Sequence, residues 1–298
     1  MIRSIFVAAA VAVAFAPAAV LAQPSAADFE PTPFFRDDFN AGGSAAPTGR
    51  WVLDAANIVS PATQVGPSFV SATPGTLPAA ILALDPVASS SDSRVMVLGN
   101  SSTTNGTDFG LNYVICDNSE AAGTGDDFTA LTNYRVVARV FLYGTAEVAS
   151  DRWQVGPYVH AASGGTDLFR ASAFYNSGAT GGGPGFGMRG ASTPNAQGLN
   201  VIAGTSALAT GGWRLMSVMV NGDALAICVD ANNDGTLDES DPAEYLALGR
   251  RAADEADGAF GFFSVGTVSN NVRPLLVDWV EVYALQAPLT ADNWAKFE

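Results

Sequence analysis

Lysine is almost missing from this chain: Lys296 is the only one, and arginine supplies the rest of the positive charge. With a formal net charge of −15, the sequence offers no cluster of cations, which excludes nucleic acid and anionic membrane surfaces as partners. Histidine occurs once, as His160, and cysteine twice, as Cys116 and Cys228. So few and so scattered, they exclude an ordinary zinc site. No G-x-S-x-G elbow occurs, which leaves a serine hydrolase of that type without support. The glycine-rich run GATGGGPGFG, Gly178 to Gly187, opens no helix and holds no lysine, so it does not read as a phosphate-cradling loop. After residue 22, no apolar stretch is long enough to span a bilayer as a helix.

The first 22 residues, MIRSIFVAAAVAVAFAPAAVLA, do carry an apolar run, with one arginine before it and small residues after it. This pattern reads as a secretory signal peptide over 1–22, cut before Gln23. A membrane anchor would lack the interruption at Pro17 and would be followed by basic residues. The mature chain is therefore expected to be secreted or periplasmic, and losing Arg3 takes its charge to −16. Export permits a disulfide between Cys116 and Cys228, with two buried free thiols as the alternative.

Gln23 to Pro33, QPSAADFEPTP, reads as a disordered tether. From Phe34 onward, runs such as SRVMVLG, YRVVARVFLY, WQVGPYVHA and PLLVDWVEVYAL alternate with Gly/Ser/Thr/Asn loops. Many short strands between turn signals indicate an all-β sandwich or barrel. No internal linker divides it, so one domain is expected over 34–287, with a C-terminal tail at 288–298. Between WRLMSVMV and DALAICVD, Asn221-Gly222 marks a type I′ turn that would pair Val220 with Asp223 and set Trp213 opposite Asp230. Both strands are apolar on both faces, which calls for cover on both sides.

At the end of that hairpin stands DANNDGTLDESDPAEY, Asp230 to Tyr245. As a twelve-position loop at 230–241, it offers Asp230, Asn232 and Asp234 at positions one, three and five. Gly235 takes the turn, the Thr236 carbonyl takes position seven, and Asp238 and Asp241 take nine and twelve. A hard cation needs such oxygens on a short arc, so Ca2+ is the expected cofactor, and Leu237 would anchor the loop in the protein. Asp241 stands where EF-hand loops carry Glu. The spacing of Glu239, Asp241 and Glu244 also matches a glucanase E-x-D-x-x-E, but Pro242 would break the strand that such chemistry uses, so coincidence is the reading.

The order of FRDDFN, Trp51, long strands, WRLMSVMVNGDALAICVD, GAFGFFSVG and VDWVEVY resembles the concanavalin A-like lectin/glucanase superfamily. Within it, the chain is most similar to the laminin-G-like jelly rolls of bacterial exported proteins, over most of Phe34 to Leu285. The resemblance implies a two-sheet antiparallel jelly-roll sandwich with its first and last strands side by side. It also implies a possible second metal near them, at Asp278 and the segment around Asp37 and Asp38. Members of the superfamily include sugar-binding modules, hydrolases, lyases and structural modules, and fold alone does not choose among these.

Alternation along the strands offers a site. Arg135, Arg139, Phe141 and Tyr143 fall on one face of YRVVARVFLY, with Val136, Ala138, Val140 and Leu142 on the core face. Gln154, Tyr158 and His160 share a face of WQVGPYVHA, and Arg170 and Arg189 could join them. Arginine, glutamine and aromatic side chains on one sheet face suit a polysaccharide or cell-surface glycan. The expectation is a calcium-stabilised carbohydrate-binding or surface-interaction module, non-catalytic. A polysaccharide lyase using Tyr158 and His160, a glycoside hydrolase, and a structural envelope protein without a glycan ligand remain the alternatives.

Overall fold

Short runs of β-branched and aromatic residues form strands throughout the described parts of the chain. The computed structural model describes residues 23–39, 51–53, 68–71, 94–98, 110–116, 133–142, 153–159, 171–177, 185–189, 199–202, 211–222, 224–248, 260–266 and 275–287. Residues 1–22, expected to be a signal peptide, and 288–298, expected to be a tail, lie outside them. Among the described residues, no helix is long and apolar enough to cross a membrane.

A 3-10 turn, Ala26–Asp28, precedes the strands β1 (Phe35–Asp37), β2 (Trp51–Leu53), β3 (Ser68–Ser71), β4 (Arg94–Leu98) and β5 (Gly110–Cys116). Then come β6 (Tyr134–Leu142), β7 (Trp153–Val159), β8 (Ala171–Ser177), β9 (Gly185–Arg189) and β10 (Leu199–Ile202). The last are β11 (Gly212–Asn221), β12 (Ala224–Val229), β13 (Tyr245–Leu248), β14 (Phe260–Gly266) and β15 (Leu275–Ala284). They build two antiparallel sheets, the sandwich expected from the sequence. The first runs β13-β12-β11-β6-β15-β4-β3 and the second β10-β9-β8-β7-β14-β5-β2. β1 also belongs to the first sheet, pairing with Val280 to Val282 of β15, while β4 takes Leu275 to Val277.

The rings of Phe35 and Phe260, 6.1 Å apart, mark the face of the first sheet that looks toward the second. Pairing carries this face across the sheet: Phe35 opposes Val282, Val282 opposes Val136, Val136 opposes Val218, and Val218 opposes Ile227. All five are buried. With a side-chain period of two, Arg36, Arg135, Arg139, Trp213, Trp279 and Tyr283 take the opposite, outer face.

The outer face of β11 and β12 is apolar and therefore needs cover. The segment 23–33, expected to be a disordered tether, provides it. Phe29 is 2% exposed and packs on Met219, Ala226 and Cys228, with Leu237 and Tyr245 beside them. Burying such a ring contributes about 1.5–3 kcal/mol. Backbone N–H groups of Glu30 and Phe34 donate to the carbonyls of Ala284 and Val282 at 2.9 and 2.7 Å. The one large apolar side chain in QPSAADFEPTP thus decides the fate of the segment.

One further expectation is corrected and one open alternative is decided. Asn221 opposes Ala224, so Asn221 is paired rather than in the turn, and Leu215 rather than Trp213 lies beside Asp230, whose N–H donates to the Leu215 carbonyl at 2.9 Å. Gly222, at φ 59°, takes the left-handed position. A slip of two keeps each side chain on its face, which is why the apolar pattern did not reveal it. The disulfide is not formed: Cys228 is a free, buried thiol on the outer face of the first sheet, whereas Cys116 ends β5 in the second. Burial pushes the Cys228 thiol up to about 12.

Candidate functional site

Arg135 and Arg139 stand on β6 with their side chains half-buried, while Val136, Ala138 and Val140 are fully buried opposite them. Arg135 donates from Nε to Ser217 Oγ at 3.2 Å and lies 5.8 Å from the Tyr283 ring centroid. Burial lowers its pKa. Arg139 donates from Nη1 to Asp278 Oδ2 at 2.5 Å, and its guanidinium lies 5.3 Å over the Trp213 ring. Asp278 is the extra residue where the register of β15 shifts between Val277 and Trp279, and it is fully buried. The carboxylate that the resemblance assigned to a second metal thus holds a guanidinium. Asp37 Oδ1 accepts the Phe39 N–H at 2.7 Å.

The rest of the expected sheet face does not assemble around these arginines. Gln154 and Tyr158 lie on β7 and Arg189 ends β9, both in the second sheet, whereas Arg135 and Arg139 look outward from the first. Alternation assigns a face within a strand, but it does not say which sheet the strand joins. Tyr143, His160 and Arg170 lie outside the described residues.

The loop after β12 is built on carboxylates that accept backbone N–H groups. Asp230, 1% exposed, accepts from Asp234 and Gly235 at 3.0 and 3.1 Å. Asn232, Asp234, Asp238 and Asp241 each accept the N–H two residues ahead. Asn233 and Gly235 take left-handed φ values of 62° and 84°. Hydrogen bonds from Thr236 and Ser240 hold the carboxyls of Asp234 and Asp238 below the usual range, while burial raises that of Asp230.

The group that ties the loop together was missed by the sequence reading. Glu244 is fully buried and accepts N–H groups from Ala231 and Asn232 on Oε1, at 3.1 and 3.2 Å, and from Asp238 on Oε2, at 3.1 Å. It holds the loop backbone where Asp241 was expected to close the ring; Asp241 Oδ1 instead meets the Ala243 N–H at 2.7 Å. Glu239, Asp241 and Glu244 all precede β13 rather than sharing a strand, and Glu239 Oε1 accepts the Ala26 N–H at 2.7 Å. Among the described residues, no three His, Cys, Asp or Glu side chains converge as a metal site. The chemistry of the donors still fits a hard cation, because Asp230, Asn232, Asp234, Thr236 and Asp238 offer only oxygens along one short arc.

The loop and the outer sheet face meet at a cavity of about 440 Å³. Its floor is Trp213 and Leu215 from β11, Arg139 from β6 and Trp279 from β15. Asp230, Asn233, Asp234 and Gly235 border it from the loop, and Arg214 completes the lining. Trp213 is fixed edge-on against Phe141, with ring centroids 5.3 Å apart and planes at 78°. Trp279 carries the Arg36 guanidinium 6.0 Å from its centroid, and Arg36 pairs with Glu281 at 2.7 Å. Neither tryptophan was singled out as a site residue from the sequence, because only strand pairing places both beside Arg139.

No protein-family model matches the chain, and no curated protein matches it in sequence. Among solved structures, it is similar to the CBM2 module of the evolved Dit of Lactobacillus casei BL23 phage J-1. The TM-score is 0.52 at 11% identity, covering 87% of this chain and 97% of that one. Weaker likenesses are to the VIP36 exoplasmic/lumenal domain in its Ca2+/Man3GlcNAc-bound form (TM-score 0.44, 10% identity, 68% and 83% covered) and to peanut lectin (0.41, 10%, 66% and 88%). The fold is a two-sheet antiparallel jelly-roll sandwich. As expected of such a jelly roll, its first and last strands lie side by side, with Asp37 of β1 opposite Val280 of β15.

Proposed function

We propose that the protein is an exported, laminin-G-like jelly-roll module that binds carbohydrate without cleaving it, and that calcium orders the loop beside its ligand cleft. The cleft carries this reading. Sugar rings present apolar C–H faces together with hydroxyls, and Trp279, with the 7% of Trp213 left exposed beside Arg139, addresses the first while Arg139, Asn233 and Asp234 address the second. The volume lies within the range of about 300–1,000 Å³ typical of small-ligand sites. Export to the periplasm or beyond rests on the signal sequence at 1–22. Asp230, Asn232, Asp234, the Thr236 carbonyl and Asp238 would hold the calcium, which supplies positive charge among these carboxylates.

Affinity electrophoresis against mannan, laminarin, xylan and alginate tests the reading. Retardation by at least one of them is expected, with loss in Trp213→Ala and Trp279→Ala proteins that keep the wild-type circular dichroism. Unretarded migration in every gel would overturn it in favour of a structural envelope role. Release of new chain ends from any of the four would overturn the non-catalytic part and direct mutagenesis to Tyr158 and His160.

A further inference from the structure

We infer that the cleft takes the terminal unit of a neutral glycan chain rather than a stretch of its interior. This inference rests on the carbohydrate reading above and narrows it. The floor runs across the strands, because Leu215 and Trp279 both oppose Arg139 in register. On the β12 side, Asp230, Asn233, Asp234 and Gly235 border the cleft at the end of that path. Along the strands toward Asn221 and Gly222, the outer face is already filled. There Ser217 is fully buried and accepts Arg135, and Phe29 covers Met219 and Cys228. The face continues toward β1, where the Arg36 side chain, 55% exposed, extends the row beyond Trp279. A chain lying on Trp279 and reaching Trp213 therefore stops at the loop.

The charges select the ligand class. Among the lining residues, the two arginines are matched by Asp230 and Asp234, and Asp278 lies against Arg139 at 2.5 Å. Arg36, farther along the row, is matched by Glu281. With the proposed calcium counted, its two charges are offset by Asp238 and Asp278, so a uronate or sulfate would still enter a cleft without surplus positive charge, on a chain of net charge −15. Hydroxyls, in contrast, can both donate to the loop carboxylates and accept from the guanidinium groups.

The test is a calorimetric titration of the mature protein with size fractions of mannan, laminarin, xylan and alginate, reading protein bound per chain. One protein per chain of a neutral polysaccharide, whatever the chain length, is the expected result. Trp279→Ala should weaken binding roughly tenfold or more at every length. Because that variant could perturb the fold, Trp213→Phe, which keeps an aromatic ring, should weaken binding less while leaving one protein per chain. Protein bound in proportion to chain length would overturn end recognition and leave the carbohydrate reading standing. Preference for alginate would overturn the charge argument in the same way. No heat from any of the four, alongside unretarded electrophoresis, would overturn the carbohydrate reading and this inference with it.

Discussion

Arg139 serves the fold and the cleft with the same guanidinium. One edge holds the buried Asp278 carboxylate, and its plane lies over Trp213. Replacing it by Met leaves a carboxylate buried without that cation, a change that costs about 3–5 kcal/mol for fully buried pairs. Because the Arg139 side chain is 27% exposed, the lower end of that range is expected. Urea denaturation of Arg139→Met, Asp278→Asn and the double variant should show a coupling in which the double loses less than the two singles together. Tyr283 makes a second residue-scale prediction. Burial and its hydrogen bond to Glu281 raise the phenol to about 12, above its ordinary value of 10. The raised value means stability fully present below pH 10 and lost as the pH rises through 12. Thermal melts across that window should fall less steeply for Tyr283→Phe. At this scale the sequence showed Arg139 and its face, because a period of two suffices for that. It hid Glu244, whose role depends on burial beneath residues far closer in space than any ligand spacing suggests.

At the level of elements, the strands were legible from apolar runs and turn residues, whereas their partners were not. β6 and β7 follow one another in sequence but join different sheets, so the composite face of Arg135, Arg139, Gln154 and Tyr158 could be drawn on paper only. The N-terminal segment was misread because its composition resembles a linker; one phenylalanine above an apolar sheet outweighs that composition. Phe29→Ala should cost about 3–5 kcal/mol, the usual penalty for emptying such a site. It should also turn Cys228 from inert to reactive toward a thiol reagent at neutral pH, whereas the wild type reacts only when unfolded. The loop gives a separate test. If calcium is held there well above its dissociation constant, chelation should lower the melting temperature by roughly 5–10 °C. Asp234→Ala should abolish that sensitivity. Identical melts with and without chelator would remove the cation from the loop and leave Glu244 as its organiser.

For the whole molecule, the all-β fold class could be read from the sequence, since it follows from many weak signals that agree, whereas the antiparallel order and the neighbouring first and last strands came only with the resemblance. The location of the cleft could not, because it arises where a loop after β12 meets side chains from β6, β11 and β15. The pairing of the N-terminal segment with the residues that follow β15 has a mechanical consequence. Phe29 bridges to Leu285 and the Gln286 N–H donates to the Asp28 carbonyl, so the antiparallel pair begins where both ends depart. A load pulling those ends apart would open this pair like a zipper, one hydrogen bond at a time, rather than shearing all of them together. The N-terminal segment should therefore peel away at low force while the two sheets remain folded, baring the thiol of Cys228 under tension.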